Sequence, residues 1–236
     1  RRRALSNTVW AVVPAAGKGA RMGAEVPKQY LELAGKSVLE HTLQLLVSQP
    51  QIAAVVIAIA ADDDLWPGAA AALPTSLVTV TGGAERCHSV LAGIKALHDA
   101  GDDDWVMVHD AARPCLRASD IERMIAELGD HAVGGILAAP VRDTLKRANE
   151  RGDIVATVDR NQLWHALTPQ MFRVGVLRSA ISGALDEGLM VTDEAQAIEA
   201  AGLVPRIVEG HGDNLKITHP ADLALAELVL RGQGRI

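Results

Sequence analysis

The sequence is poor in cysteine, in long apolar runs and in positive charge. Its two cysteines, Cys87 and Cys115, are too few for a disulfide framework or a zinc site, so we expect a reducing, cytoplasmic setting in which both thiols are small packed groups. No apolar run approaches the roughly 18 residues that cross a bilayer, so no membrane association is expected. The net charge of −6 gives no overall positive field for nucleic acid. An anionic ligand would therefore need a local cationic site.

Apolar residues, in contrast, make up 49% of the 236 residues, enough for a substantial core in one α/β domain covering 1–236. Apolar runs rich in β-branched residues alternate with helical patterns, which predicts a mostly parallel twisted sheet flanked by helices. Strands are expected over 8–13, 53–60, 77–81, 105–108, 134–141 and 206–209. Helices are expected over 38–49, 119–128, 174–185, 193–201 and 220–231, with Ser37 and Ser119 as N-caps of the first two.

The loop after the first strand carries the strongest functional signal. It reads Pro14-Ala15-Ala16-Gly17-Lys18-Gly19-Ala20-Arg21-Met22, with Pro27-Lys28-Gln29 just downstream. Small residues let the backbone N–H groups approach an anion, and Arg21 and Lys28 bring two cations to the same edge. Met22 replaces the third glycine of the dinucleotide fingerprint, and no P-loop string occurs. The pattern suits a nucleoside triphosphate, the alternative being an ordinary strand-turn-helix corner with surface cations.

Three further loops follow strands and should face the same crevice, because ligands of open parallel sheets sit outside the carboxyl ends of the strands. Gly82-Gly83 again allows close backbone approach, and Ser89 with nearby backbone is a candidate for reading a base. Asp110, just past the fourth strand, is placed to bind Mg²⁺ beside a phosphate. Asp213 would share that ion if the two carboxylates lie close, while Lys216 faces phosphate.

Each of these residues also has a purely structural interpretation. Asp110 and Asp213 would then be turn or cap residues, and Lys216 a solvated cation. The acidic run 62–64 suggests a helix start more strongly than a metal site. We expect His109 to be structural and Arg113 to hold its loop by bonding carboxylates or carbonyls.

A polar excursion over 141–164 interrupts the α/β pattern. Two short β-like pieces joined at 149–152 predict a hairpin arm. Excursions of this length inside a compact domain are usually functional, and exposed strand edges favour pairing. A partner subunit of a homodimer would supply that pairing; the alternative is a mobile surface hairpin.

Taken together, these motifs resemble the 2-C-methyl-D-erythritol 4-phosphate cytidylyltransferase family over nearly the whole chain. The opening loop and 27–29 are shared with many nucleotidyltransferases, whereas the combination of the later strings is more specific. Those strings are Glu85-Arg86, Ser89-Val90, His109-Asp110-Ala111-Ala112-Arg113-Pro114, Asp143-Thr144, Thr157-Val158-Asp159-Arg160, Leu167-Thr168-Pro169-Gln170, Thr192-Asp193-Glu194-Ala195 and Asp213-Asn214-Leu215-Lys216.

The resemblance implies a Rossmann-like nucleotidyltransferase fold, a homodimer that exchanges the arm, and a role for each matching residue. Arg21 and Lys28 would be catalytic, and Asp110 and Asp213 would bind Mg²⁺. The expected CTP-binding residues are Pro14, Ala15, Ala16, Gly17, Gly19, Gly83, Ala84 and Ser89. The expected contacts to the phosphorylated substrate are Asp110, Thr144, Arg160, Thr168, Thr192 and Lys216.

One position departs from the family pattern. Ala84 stands where relatives often carry aspartate, and we expect the backbone to read the base there. The implied reaction transfers CMP from CTP to methylerythritol phosphate in non-mevalonate isoprenoid biosynthesis, and its phosphate nucleophile needs no general base. The alternatives are a ribitol 5-phosphate cytidylyltransferase, which would share the CTP site, and a non-catalytic nucleotide-binding module, which would not need Arg21, Lys28, Asp110 and Asp213 together.

Overall fold

The computed structural model describes residues 7–17, 26–71, 73 and 77–236. Its centre is a seven-stranded sheet built from β1 (Val9–Pro14), β4 (Ile52–Ile59), β5 (Leu77–Thr81), β6 (Trp105–Val108), β7 (Gly134–Pro140), β10 (Trp164–Arg173) and β11 (Arg206–Glu209). The strand order is β11-β7-β10-β6-β1-β4-β5. All neighbouring pairs are parallel except those that β10 makes with β6 and β7. The predicted mostly parallel α/β architecture is confirmed.

Helices cover both faces of the sheet because the strands are apolar on both. Along β1, Val13 belongs to the cluster that packs on α1 (Val38–Val47) and α4 (Ala118–Leu128). Its neighbour Val12 belongs to the opposite cluster, with α3 (Arg86–Lys95), α5 (Val174–Asp186) and α6 (Glu194–Ala200). Successive side chains of a strand point to opposite faces, so a continuous apolar run supplies both layers.

The remaining elements are short or peripheral. They are a 3₁₀ turn at Lys28–Tyr30, the two-residue strands β2 (Glu32–Leu33) and β3 (Lys36–Ser37), α2 (Trp66–Ala70) and α7 (Pro220–Gly232). Among the described residues, no helix is long and apolar enough to cross a membrane.

The two predicted N-caps have different outcomes. Ser37 caps α1 in a capping box, because its Oγ accepts from the Glu40 N–H while the Glu40 carboxylate accepts from the Ser37 N–H. The prediction for Ser119 is wrong: α4 begins at Ala118, and Arg117 is the N-cap without a side-chain bond. The acidic run before α2 acts as a helix start, since the Asp63 carboxylate accepts from the N–H groups of Leu65 and Trp66.

β10 has no counterpart among the predicted strands. It lies antiparallel between β6 and β7 and contains a cis peptide bond at Thr168–Pro169. The pairing with β7 shifts register between Ala166 and Gln170, so the proline lies in an irregular stretch where its missing N–H costs no ladder bond. A proline in the sequence argues against a central strand, which explains the omission.

The predicted hairpin is present as a separate two-stranded sheet. β8 (Leu145–Ala148) pairs antiparallel with β9 (Ile154–Val158), and Asn149 closes the turn between them. The hairpin leaves the body where the Val141 N–H bonds the Leu163 carbonyl. Ile154 and Val155 are 66% and 57% exposed, so the arm presents apolar side chains to solvent in the isolated chain.

Candidate active site

A cavity of about 380 Å³ lies at the carboxyl ends of β1, β5 and β6. It is lined by Pro14, Ala15, Ala16, Gly17, Lys28, Gln29, Gly83, Ala84, Glu85, Arg86, Ser89, Asp110, Ala111, Ala112, Lys216 and Thr218. The position is the one expected for a ligand of an open parallel sheet. Loops that are far apart in the sequence thus converge on one crevice.

Glycine is required where the first two loops meet. A Cβ on Gly82 would lie 2.6 Å from the Ala16 Cβ and 2.7 Å from the Ser89 Oγ. A Cβ on Gly83 would lie 2.3 Å from the His88 Cβ. The Gly83 N–H donates to the Ser89 Oγ at 3.1 Å, so this buried hydroxyl fixes the loop. Small residues here bring the backbone of both loops to the cavity wall.

Gln29 ties the opening loop to the segment that carries Lys28. Its side chain is only 4% exposed, and Nε2 donates to the carbonyls of Ala15 at 3.0 Å and Gly17 at 3.2 Å. Both amide hydrogens are used, so the opening loop is bonded at two points to the segment that carries Lys28. Lys28, the residue before Gln29, also lines the cavity.

Asp110 is the electrostatic centre of the cavity floor. It is 7% exposed, and its oxygens lie 3.1 Å from Arg86 Nη2, 3.4 Å from Arg113 Nε and 2.9 Å from Lys216 Nζ. Burial alone would raise the pKa of Asp110, but Arg86, Lys216 and Arg113 together hold it well below its usual range. Asp110 is therefore an anion with three cations around it.

A buried hydrogen-bond chain fixes Asp110 from behind. His109 Nε2 lies 3.0 Å from the Arg113 carbonyl, which requires a proton on Nε2 and leaves Nδ1 as an acceptor. The Thr168 hydroxyl donates to that Nδ1 at 2.9 Å and accepts the Asp110 N–H at 3.1 Å. Burial lowers the pKa of His109 to about 4, so the ring is neutral at pH 7. The predicted structural role of His109 is confirmed.

Asn214 completes this chain, although the sequence interpretation gave it no role. Its Nδ2 donates to the Thr168 carbonyl at 2.7 Å, and its own carbonyl accepts from Arg113 Nη1 at 2.7 Å. Arg113 thus bonds both a carboxylate and a carbonyl, as predicted. The network joins β6, β10 and the 213–216 turn, which carries Lys216.

Arg86 links the cavity to α6. Its guanidinium makes a two-point ion pair with the buried carboxylate of Glu194, in addition to its contact with Asp110. Burial alone would lower the pKa of Arg86, but Glu194 and Asp110 raise it above its ordinary value. The motif strings contained both residues, but the sequence could not indicate that they pair, because they are separated by five intervening strands and two helices.

The predicted site residues fall into three groups. Arg21 and Gly19 lie outside the described residues. Ten line the cavity: Pro14, Ala15, Ala16, Gly17, Lys28, Gly83, Ala84, Ser89, Asp110 and Lys216. The others, Thr144, Arg160, Thr168, Thr192 and Asp213, are not part of that lining. Within this last group Thr168 is buried behind Asp110, whereas Thr144, Arg160 and Thr192 are exposed.

Asp213 has its own partner in this structure. Its carboxylate accepts from Arg117 Nη2 at 2.5 Å, and this bond raises the pKa of Arg117. In the described part of the chain, no group of three or more His, Cys, Asp or Glu side chains forms a metal cluster. Asp110 lines the cavity and supplies carboxylate oxygens, which Mg²⁺ takes alongside phosphate oxygens, so its chemistry fits that ion. In this structure its two oxygens are bonded to Arg86, Arg113 and Lys216, and Mg²⁺ would replace part of these contacts.

Comparison with known proteins agrees with this geometry. The family model for 2-C-methyl-D-erythritol 4-phosphate cytidylyltransferase matches residues 9–232. The chain belongs to this family. It is 54% identical over 216 residues to the 2-C-methyl-D-erythritol 4-phosphate cytidylyltransferase of Pseudomonas putida, covering 91% of this chain and 92% of the relative. The enzyme of the same name from Vibrio atlanticus is 53% identical over 223 residues, covering 94% and 95%.

Solved structures share the fold over the same span. The cytidylyltransferase of Francisella tularensis superimposes with a TM-score of 0.83 at 34% identity, covering 95% of this chain and all of the other. That of Thermus thermophilus gives a TM-score of 0.78 at 31% identity, covering 95% and 99%. The cytidylyltransferase family therefore shares both the sequence pattern and the sheet that positions the cavity.

Proposed function

We propose that this cytidylyltransferase transfers CMP from CTP to 2-C-methyl-D-erythritol 4-phosphate, giving 4-diphosphocytidyl-2-C-methyl-D-erythritol and pyrophosphate in non-mevalonate isoprenoid biosynthesis. The observation that carries the proposal is the cavity around Asp110, in a chain whose family match covers 9–232. An anionic carboxylate, three neighbouring cations and two close-approaching loops suit a reaction between two phosphate-bearing molecules.

We assign the cytosine to the wall formed by 14–17 and 83–89. Ala16, Gly83 and Ser89 meet there, and the Gly82 contact leaves no room for a side chain in between. The Ser89 hydroxyl and the Gly83 N–H are engaged with each other, so the remaining backbone groups of 83–84 are the better candidates for base recognition. On this account the alanine at 84 is neutral for cytosine selectivity.

The triphosphate would lie between the opening loop and the cavity floor. Lys28 and Lys216 line this space, and Arg21, which lies outside the described residues, is assigned to the triphosphate from the sequence motif. We propose Asp110 and Asp213 as the carboxylates that hold Mg²⁺ when CTP is bound. For Asp213 this requires release from Arg117. When bound, Mg²⁺ neutralises charge on the phosphates.

The chemistry fits a site without a general base. A phosphate oxygen of the acceptor attacks the α-phosphorus of CTP, a P–O bond forms there, and the bond to the bridging oxygen breaks as pyrophosphate leaves. The acceptor oxygen is already anionic near pH 7, so no proton has to be removed. His109, the titratable ring nearest Asp110, is buried and committed to Arg113 and Thr168. Catalysis would then consist of positioning and charge neutralisation, with Lys28 and Arg21 stabilising the transition state.

For the acceptor we propose two groups of contacts. Lys216 and the end of β6 come from the body of the chain, whereas Thr144 and Arg160 come from the arm. The arm residues do not line the cavity of their own chain, and the exposed Ile154 and Val155 would become covered against a second copy. We therefore propose a homodimer in which each arm completes the partner's site.

The direct test is pyrophosphate release from CTP and Mg²⁺, with methylerythritol phosphate and ribitol 5-phosphate supplied in parallel. The proposal predicts release with methylerythritol phosphate alone. Release with only ribitol 5-phosphate would preserve the CTP site but overturn the acceptor. An absence of release with either, under conditions where CTP binds, would indicate a binding module.

Lys28 can be tested within the same assay. We expect Lys28→Ala to reduce kcat by roughly a hundredfold while CTP affinity falls by much less, because a preorganised charge acts mainly on the transition state. Lys95→Ala, at the exposed end of α3, is the matched control. Unchanged turnover in Lys28→Ala would remove Lys28 from the transition state.

A further inference from the structure

A second cavity of about 470 Å³ is bordered by α1, by the start of α4 and by residues 233–235. Its lining comprises Lys36, His41, Gln44, Leu45, Ser48, Gln49, Leu116, Arg117, Ala118, Ser119, Gln233 and Arg235. Three of these are permanent cations, and the described lining contains no aspartate or glutamate. In a protein of net charge −6, a cleft whose charged lining residues are all positive is unexpected.

Arg235 is the clearest sign of unbalanced charge. Its guanidinium donates to the carbonyls of Pro114, Leu116 and His41 and contacts the Gln233 amide oxygen. Among the described residues it has no carboxylate partner. Burial lowers the pKa of Arg235, which reflects a cation held by neutral oxygens only. An anion in the cleft would compensate this charge.

Lys36 and the N-terminus of α4 also offer hydrogen-bond donors that lack an anionic partner in the described part of the chain. Lys36 Nζ is held by the Gln44 Oε1 at 2.9 Å, a neutral partner. α4 starts at the cleft wall with Ala118 and Ser119, and no side chain caps its N-terminus. Two cations that have no carboxylate partner in the described part of the chain, a hydroxyl and uncapped helical N–H groups line one cleft, and this donor set suits a phosphate dianion.

Arg117 connects this cleft to the candidate active site. It lines the cleft while its guanidinium holds Asp213 through Nη2 at 2.5 Å and Nε at 3.3 Å. An anion bound in the cleft would compete with Asp213 for the same guanidinium. By linkage, removing the Asp213 charge must then strengthen anion binding.

We propose that this cleft, which we call the Arg235 cleft, binds a phosphate dianion, free or as a small phosphomonoester, and that the bound anion draws Arg117 away from Asp213. The consequence for catalysis rests on the proposed function, because Asp213 matters there as a candidate Mg²⁺ ligand. Binding itself does not depend on that function and is measured separately.

The experiment follows the backbone amides of Ala118 and Ser119 by NMR while inorganic phosphate, and in a second series glycerol phosphate, is added to the full chain. We expect saturable chemical-shift changes at these amides. The compound that binds with the higher affinity shows whether the ligand is free phosphate or a phosphomonoester. The amides of Gly17 and Gly83 report any binding at the candidate active site independently.

Three variants decide the outcome. Gln44→Glu places a carboxylate beside Lys36 and should weaken binding roughly fivefold, whereas Lys95→Gln makes the same change in net charge outside the cleft and should have no effect. Asp213→Asn should tighten binding roughly threefold. Absence of saturation at Ala118 and Ser119, equal affinities in Gln44→Glu and wild type, or no tightening in Asp213→Asn would each overturn the proposal. Those results would leave the CMP-transfer assay unaffected.

Discussion

The two halves of the candidate site differ in how far one chain completes them. On the body side, Asp110, Arg113 and Thr168 are at most 9% exposed and are joined in one hydrogen-bond network. On the arm side, Thr144 and Arg160 are exposed, and a backbone carbonyl of the arm, that of Arg142, accepts a hydrogen bond from the Arg160 guanidinium. The body half is therefore preorganised within one chain, whereas the proposed arm half would act only on a surface that it covers.

This contrast implies different consequences for substitutions. A change in the body half breaks a buried network and should affect both the chemistry and the stability of the fold. A change in the arm half removes one contact to a ligand and should leave the fold intact. Four substitutions, from the largest expected effect to the smallest, test this difference.

Asp110→Asn should have the largest effect. The amide keeps the shape but removes the anion that Arg86, Arg113 and Lys216 share, leaving Arg86 its ion pair with Glu194, and it removes a proposed Mg²⁺ ligand. We expect kcat/KM to fall roughly a thousandfold, about 4 kcal/mol of transition-state stabilisation, in a steady-state assay of pyrophosphate release. Asp186→Asn, at the end of α5, controls for loss of a carboxylate. Activity within tenfold of wild type would contradict the central place of Asp110.

His109→Gln tests the buried network through its pH dependence in metal-free protein. The folded-state pKa of His109 is lowered from 6.5 to about 4, so the unfolded state binds the proton more readily. Its contribution to stability is fully present above pH 6.5 and is lost as the pH falls through 4. The loss amounts to about 3 kcal/mol for a fully buried ring.

We therefore expect the unfolding free energy of wild type, from urea titrations, to fall more steeply between pH 6.5 and 4 than that of His109→Gln. The variant should be less stable at pH 7, because glutamine replaces only part of the Arg113 and Thr168 contacts. Parallel pH profiles for the two proteins would refute the assignment of a neutral buried ring.

Arg160→Gln tests the arm. A guanidinium bonded to a phosphate is worth about 2 kcal/mol, so we expect KM for the methylerythritol phosphate to rise roughly thirtyfold while KM for CTP and the thermal midpoint stay unchanged. Arg151→Gln, in the exposed hairpin turn, is the matched control. An equal rise in the CTP KM would place Arg160 on the nucleotide instead.

Thr144→Val should have the smallest effect. It removes one neutral hydroxyl from an exposed position, and a single neutral hydrogen bond contributes about 1 kcal/mol. A rise of roughly fivefold or less in the acceptor KM is expected, with kcat unchanged. A large fall in kcat would give Thr144 a role in the chemical step and would weaken the contrast between the halves.

The sequence predicted the parallel strands and their loops because most were apolar runs that end in a distinctive string. It also predicted the arm, where the polar excursion is long and its hairpin turn is local. It missed β10, because Pro169 within Leu167-Thr168-Pro169-Gln170 argues against a central strand. The N-cap prediction for Ser119 is wrong because α4 begins earlier in the chain. Arg117 occupies the N-cap position, and its side chain is not a typical capping group.

Within the site, sequence reasoning found ten of the sixteen lining residues and the supporting roles of His109 and Arg113, but not those of Asn214 and Gln29. Asp110 and Lys216 follow strands and carry charge, so their positions indicate function. Asn214 donates to the carbonyl of Thr168, and Gln29 donates to the carbonyl of Ala15. Both bonds join residues that are separated in the sequence, so they could be found only from the fold. That Asp213 and Asp110 bind the same Mg²⁺ stays a prediction, because Asp213 is bonded to Arg117 in this structure.

The central claim is that the body half of one subunit works with the arm of the other, and mixed dimers test it most directly. Asp110→Asn and Arg160→Gln chains are co-expressed with different tags, and the heterodimer is purified. Both parents and the heterodimer are assayed at an acceptor concentration well below the wild-type KM, where each parent is weakly active. If the arm acts on its partner, one of the two sites in each heterodimer is intact, so about half of wild-type activity should return. If the arm acts on its own chain, both sites carry a defect, and a heterodimer no more active than the mean of the two parents would contradict the account.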